Sequence, residues 1–191
     1  CRFDVIKVCD NICVFRRGFH EGSDCVKHLY MRKLAKLAAP LNWRHGKKRQ
    51  IPVFYLFTDQ VRLPDPSKIL QKLPRGACVV LRHQDVRQLG RLSRRIIPKA
   101  HRLGLKVLVA GDVRLALKLK ADGVHLSEHQ ARLGPLRIKV KKPDFMISCA
   151  AHSHRALWRA QQAKANIAML SPAFVTKSHP NSKALGVLRV L

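Results

Sequence analysis

Residues 107–128 read VLVAGDVRLALKLKADGVHLSE, which is two short apolar runs on either side of an amphipathic stretch. The stretch opens with Asp112, a residue type that favours helix N-caps, and it closes at Gly123. Its apolar positions recur at helical spacing: Val113, Leu115, Ala116 and Leu119. The pattern predicts a strand, a helix and a second strand, which is the repeating unit of a parallel sheet.

The same alternation continues along the chain from Ile51 onward. Six apolar runs are candidate strands: PVFYLFTD (52–59), ACVVLRH (77–83), KVLVAGD (106–112), GVHLSE (123–128), FMISCAAH (145–152) and IAMLSPAF (167–174). Continuous apolar runs are typical of parallel strands that are buried on both faces, and the stretches between them are long enough for helices. Either an open doubly wound sheet or part of a (β/α)8 barrel fits this series. No GxGxxG follows the first run, so we favour the barrel.

Net charge divides the chain into segments. The 191 residues carry 38 Lys and Arg against 11 Asp and Glu, a formal charge of +27. Residues 1–30 hold 5 basic and 4 acidic side chains, and we expect a disordered leader of separate origin. Residues 31–50 hold seven basic side chains and no acid, which indicates a basic helical arm that either packs on the domain or binds an anionic partner. Residues 51–191 form the predicted barrel domain, incomplete at its C-terminal end.

Composition also limits the classes of partner and the compartment. Arg or Lys interrupts every apolar run before it reaches the roughly 20 residues of a membrane-spanning helix, so we expect no membrane partner. The six cysteines include no CxxC pair, and we expect reduced thiols and a cytoplasmic protein. No RNP, KH or zinc-finger pattern occurs, so binding to nucleic acid rests on charge alone.

Polar residues follow the apolar runs at the strand ends that line the site of a barrel. They are Thr58 and Asp59, Arg82 and His83, Asp112, Glu128 and His129, His152, and the stretch 176–179. Cations, hydroxyls, histidines and carboxylates together predict an anion site with acid–base and metal options. For His125, inside GVHL, we expect a barrel-lining side chain with its hydrogen bonds satisfied.

Several of these motifs together resemble the thiamine-phosphate synthase/TenI family of (β/α)8 barrels, from about residue 54 to residue 186. They are YLFTD, the LR of the second run, VLVAGDVRLALKLKADGVHLSE, CAAHSHRALWRA and SPAFVTKSHPNSKALG. The resemblance implies coupling of hydroxymethylpyrimidine diphosphate with a thiazole phosphate, release of pyrophosphate, and Mg²⁺ as cofactor. It assigns phosphate binding to Arg82, Thr176, Ser178 and His179.

The magnesium ligands that the resemblance implies are the part of the match that departs most from the family. The family's Asn-Asp-Asp reads Ala110-Gly111-Asp112 here, and its second metal aspartate is replaced by Gln130. The metal would then fall to Asp112 and Glu128.

His152 matches the proposed acid–base histidine of the TenI branch, which tautomerises a thiazole without metal. A TenI-like tautomerase and a catalytically inactive family member are therefore the alternatives to a synthase. A basic nucleic-acid-associated protein is the alternative from another class.

The sequence stops after the sixth candidate strand, whereas a closed barrel of this type has eight. Because an open sheet leaves unpaired backbone groups at its first and last strands, we expect either a truncated chain or closure by a partner or a second copy. The sequence therefore predicts poor solubility or a homo-oligomer.

Overall fold

The computed structural model describes residues 5–7, 12–13, 51–52, 54–133, 142 and 144–171. These residues contain one eight-stranded sheet in the order β1-β8-β7-β6-β5-β4-β3-β2. The strands are β1 (Val5–Lys7), β2 (Ile12–Cys13), β3 (Tyr55–Phe57), β4 (Cys78–Leu81), β5 (Lys106–Ala110), β6 (Gly123–Leu126), β7 (Met146–Ala151) and β8 (Ile167–Leu170). The helices are α1 (Val86–Arg102), α2 (Val113–Lys118), α3 (Glu128–Arg132) and α4 (His154–Gln162).

The strands β3 to β8 are parallel and adjacent in chain order, and they form a curled (β/α) sheet of the barrel type. All six coincide with the predicted apolar runs, so the predicted fold class is confirmed. Each α-helix connects two neighbouring strands, and each begins at a polar cap whose side chain accepts a backbone N–H. The caps are Asp85, Asp112, Ser127 and Ser153.

The connection between β3 and β4 differs from the expected helix. It contains only the 3₁₀ helix Leu70–Lys72. Pro64, Pro66 and Pro74 lie within this connection. Proline lacks an N–H and clashes with the preceding turn, so three prolines within one connection disfavour a continuous α-helix.

Side chains of β3–β8 alternate between two apolar layers. One layer lies inside the curl, which we term the lumen, and its members include Tyr55, Phe57, Cys78, Val80, Leu108, Met146, Ile167 and Met169. The other lies between the sheet and the helices, and α1 contributes Leu89, Leu92, Ile96, Ile97 and Ala100 to it. Val86 does not belong to this layer and is 65% exposed, because it occupies the first helical position.

Two short strands from the first thirteen residues cover the edges of the curled sheet. β1 pairs in parallel with β8, and β2 pairs antiparallel with β3. Five residues of the segment 1–30 are thus strands, which the expectation of a disordered leader did not include. The proposed segment boundaries at residues 30 and 50 stay predictions. In the part of the chain that the structure describes, no helix is long and apolar enough to cross a membrane.

Candidate active site

The carboxyl ends of β3–β8, which we term the mouth, bring the predicted site residues to one end of the sheet. Tyr55 pairs with Cys78 and Ser148 pairs with Ile167, so equivalent positions of neighbouring strands share a face. Arg82 and His152 continue the lumen-facing positions of β4 and β7 past the ends of these strands. Both residues therefore lie at the mouth.

Arg82 is held at the mouth by backbone and side-chain contacts. Its amide donates to Thr58 Oγ1 at 2.8 Å, and its Nε donates to the Thr58 carbonyl at 3.3 Å. The guanidinium carbon lies 5.4 Å from the centre of the Phe57 ring, within the range of a cation–π contact. With 45% of its side chain exposed, Arg82 keeps N–H donors that can bind an anion.

Asp59 links Arg82 to a second arginine that the sequence did not single out. Its Oδ2 lies 3.7 Å from Arg82 Nη2 and 3.4 Å from Arg62 Nη2. The backbone amides of Arg62 and Val61 donate to Oδ1 and lower the pKa of Asp59, so it stays charged. Two cations share this one carboxylate, which leaves the turn with a net positive charge.

His125 lies in the lumen, as expected. Its Nδ1 is 2.8 Å from Ser148 Oγ, and its ring meets Phe57 edge-to-face at 5.2 Å. Burial, with a smaller contribution from the charge of Arg82, lowers the pKa of His125 to about 3. The imidazole is therefore neutral near pH 7.

His152 lies at the end of β7, where two neighbouring elements hold it. Its amide donates to Glu128 Oε2 at 3.1 Å, and its Nδ1 lies 2.7 Å from the carbonyl oxygen of Ser171. A carbonyl only accepts hydrogen bonds, so Nδ1 of His152 donates this bond and carries a proton. The helix-capping role is taken by Ser153. The orientation of the His152 ring is therefore fixed by its contact with Ser171.

The two predicted metal carboxylates each have structural partners. Asp112 Oδ1 accepts the Leu115 amide at 2.8 Å as the cap of α2. Glu128 Oε1 lies 3.8 Å from Arg159 Nη1, while its other oxygen accepts from His152. No contact joins Asp112 to Glu128 among the described residues.

Gln130 occupies the position of the second family aspartate, and it is a hydrogen-bond donor to the adjacent strand. Its Nε2 donates to the Gly111 carbonyl at 2.9 Å, and its Oε1 accepts the Ser127 amide at 3.0 Å. No group of three or more His, Cys, Asp or Glu that could hold a metal occurs in the described ranges. The three positions that the resemblance assigns to the metal thus hold a helix cap, an ion-paired carboxylate and an amide, and the described residues do not reproduce the carboxylate set that the resemblance implies.

Three predicted phosphate-binding residues, Thr176, Ser178 and His179, lie outside the described residues. The structure adds Arg62 and Ser171 to the mouth. An Asp-x-x-Arg turn directly after a strand was the available signal for Arg62. Ser171 follows β8 and could have been found from strand alternation alone.

Comparison with known proteins identifies the family. The family model described as thiamine monophosphate synthase matches residues 54–190. The chain is 31% identical over 145 residues to putative thiamine-phosphate synthase 2 of Aquifex aeolicus, covering 72% of this chain and 76% of the relative. It is 23% identical over 150 residues to thiamine-phosphate synthase of Bacillus velezensis, covering 74% of this chain and 66% of that relative.

A solved structure shows the same fold. Thiamine phosphate pyrophosphorylase from Pyrococcus furiosus superposes with a TM-score of 0.52 at 17% identity, covering 71% of this chain and 66% of that protein. The chain thus spans just under two thirds of the archaeal protein and of the Bacillus relative. The family model matches most of the length of this chain, and the chain therefore belongs to the thiamine monophosphate synthase family.

Proposed function

We propose that this protein acts in thiamine biosynthesis as a transferase that couples hydroxymethylpyrimidine diphosphate with a thiazole phosphate and releases pyrophosphate. The observation that carries the proposal is Arg82, which is hydrogen-bonded to Thr58, packed on Phe57 and half-exposed at the mouth. A preorganised cation at the strand ends of a (β/α) sheet suits a diphosphate-bearing substrate.

Charge stabilisation is the step that this chain's own residues support. When the bond between the pyrimidine methylene carbon and the diphosphate oxygen breaks, the electron pair leaves with the oxygen and negative charge grows on the diphosphate. Arg82 and Arg62, held beside Asp59, offer N–H donors to that charge without having to reorganise. We propose Thr176, Ser178 and His179 as further donors to the phosphates.

Whether Mg²⁺ takes part in the reaction is tested by experiment below. In the family's reaction, Mg²⁺ would neutralise diphosphate charge when bound. Because the described carboxylates at positions 112 and 128 serve as a helix cap and an ion pair, no step here depends on the metal.

A TenI-like tautomerase is the second candidate, and the geometry of His152 supports it. The bond from Nδ1 to the Ser171 carbonyl fixes the orientation of the ring, and in its neutral form the imidazole would take a proton from a thiazole carbon at Nε2 and return it at another carbon. This chemistry requires neither a diphosphate nor a metal, and it would tolerate the loss of the family's aspartates.

The test is calorimetric titration of the full chain with the pyrimidine diphosphate, with and without Mg²⁺, followed by a coupling assay. We expect binding in the unsubstituted protein and a loss of about 100-fold or more in kcat/KM for Arg82→Gln. Arg114→Gln, which removes an exposed cation of α2, is the matched control and should leave both readouts unchanged. Absence of diphosphate binding under both metal conditions would contradict the synthase proposal.

His152→Ala separates the two candidate reactions. A tautomerase should lose its activity with this substitution, whereas a synthase that depends on charge stabilisation should keep most of its rate. If His152→Ala retains the coupling activity, and neither this variant nor the unsubstituted protein has tautomerase activity, the function is that of a synthase.

We further propose a cytoplasmic location, which membership of a biosynthetic enzyme family supports. Burial raises the pKa of Cys149 to about 12, so this thiol stays protonated near pH 7. The homo-oligomer stays a prediction.

A further inference from the structure

Helix α1 carries a row of arginines on its outer face. Arg87, Arg91, Arg94 and Arg102 are all exposed. At about 100° per residue they fall within about 80° of the helix circumference, and at about 1.5 Å per residue they span about 22 Å along the axis. We term these four residues the α1 arginine row.

One described carboxylate lies near the row: backbone hydrogen bonds from Gln88 and Arg87 lower the pKa of Asp85, and the charge of Arg91 lowers it further. No ion pair joins any of its four members to a described carboxylate. The neighbouring Arg95 does pair with Asp65, at 3.0 Å, and lies at the flank of the row. The helix itself contains no Asp or Glu.

The row is also not needed to pack the helix. The buried face of α1, with Leu89, Ile96 and Ala100, lies on the opposite side and contacts β4 and β5. Like charges at i,i+3 and i,i+4 destabilise a helix by about 0.2–0.5 kcal/mol per pair. The row therefore lowers helix stability without making a packing contact, an arrangement that suits a surface for an anionic partner.

We propose that the α1 arginine row binds the phosphate backbone of a nucleic-acid duplex, independently of the reaction at the mouth. A duplex carries one negative charge per about 1.7 Å of its axis, so a row of about 22 Å spans several phosphates. Arginine presents a planar fork of donors that matches phosphate oxygens, and all four members of the row are arginines.

Single strands and membranes fit the surface less well. Binding to single strands relies on aromatic side chains that stack on bases, and α1 has none; the exposed Trp158 belongs to α4. A membrane-bound helix buries an apolar face in lipid, whereas the apolar face of α1 packs against the sheet. The interaction that fits the row is contact between its arginines and the phosphates of a duplex, and such contacts carry no sequence preference.

The row is distinct from the candidate active site. Arg82 continues the lumen face at the mouth, while α1 covers the outer face of β4 and β5. Binding of a duplex should therefore survive Arg82→Gln, and failure of one proposal does not decide the other.

The experiment measures fluorescence anisotropy of short, mixed-sequence DNA and RNA duplexes with the full chain over a series of KCl concentrations. The test variant replaces all four arginines of the row by Gln, which keeps helix propensity high. The control variant replaces four other exposed cations by Gln and so removes the same net charge: Arg114, Lys118, Arg132 and Arg155. Circular dichroism and thermal melting check that both variants are folded.

We expect the test variant to reduce the slope of log K against log[KCl] by about 3.6, and the control to reduce it by less than about 1. A loss seen with only one of the two duplexes supports the proposal and identifies the nucleic acid. Equal losses in both variants would overturn it, because binding would then follow net charge. The proposal would also be overturned if binding of polyglutamate or of phosphatidylserine vesicles depended on the row while binding of the duplexes did not.

Discussion

Among single residues, Asp122 makes the densest set of polar contacts at the amino-terminal end of the sheet. Its carboxylate accepts the Val107 amide at 2.9 Å and lies 2.8 Å from His101 Nε2 and 3.1 Å from Lys106 Nζ. Burial acts to raise the pKa of Asp122, but these hydrogen bonds outweigh it and the pKa lies below its ordinary value. The ionised carboxylate therefore stabilises the fold.

The substitution Asp122→Asn should lower the free energy of unfolding at pH 7 by about 1–3 kcal/mol. Since the folded-state pKa is lowered, this stabilisation is complete above the ordinary carboxyl pKa of about 3.9 and is lost as pH falls through the lowered value. Denaturant unfolding from pH 7 to pH 2 should show the two proteins converging in acid. Asp144→Asn, at an exposed position, is the control, and a gap that is constant with pH would contradict the assignment.

The sequence alone predicted where Arg82 and His152 lie but not their contacts. Arg82 and His152 could be found because each directly follows an apolar run, and strand ends meet at one edge of a parallel sheet. The hydrogen bond of His152 Nδ1 could not be predicted, because its partner is the carbonyl of Ser171, nineteen residues away and just past the end of β8. Likewise, nothing in the spacing of Arg62 and Arg82 shows that they share Asp59.

At the level of helices and strands, local signals predicted starts better than ends. The cap Asp112 was evident because an Asp side chain accepts backbone N–H groups. The end of α2 was predicted at Gly123, but the helix stops at Lys118 and the chain turns through Lys120 at a φ of 56°. Gly123 instead begins β6 and lies against the backbone of β7.

Two glycine substitutions should shift stability in opposite directions. A Cβ at Gly123 would overlap the carbonyl of Met146 on the paired strand, so Gly123→Ala should cost about 4 kcal/mol or more or prevent folding. A Cβ at Gly90, in α1, meets nothing within 4 Å, so Gly90→Ala should stabilise the protein by about 0.5–1 kcal/mol. Thermal melting of both variants is the measurement. Tolerance of Ala at 123 would show that β6 and β7 lie farther apart than described.

At the scale of the whole molecule, the curl of the sheet follows from its chain connections. Lys7 pairs with β8 at one edge and Ile12 pairs with β3 at the other. Five residues of chain reach at most about 18 Å, so the outermost strands β1 and β2 must approach within that distance of each other. Periodicity could not predict this arrangement, because strands of three and two residues are too short to show a pattern.

Removing residues 1–13 should therefore expose the outer backbone groups of β3 and β8 and promote association between copies. Light scattering coupled to size exclusion should show a larger fraction of dimers and higher species than in the full chain. Deletion of 14–30 is the control, because it shortens the chain by a similar number of residues and keeps both edge strands. If the two deletions behave alike, β1 and β2 do not protect the edges, and a different property of the chain must limit the association expected of an open barrel.

Electrostatic repulsion between copies is such a property. The chain carries a net charge of +27, and the repulsion opposes association and weakens as salt is added. Repeating the measurement at high salt separates the two explanations, because edge pairing through backbone hydrogen bonds should persist there only when β1 and β2 are missing.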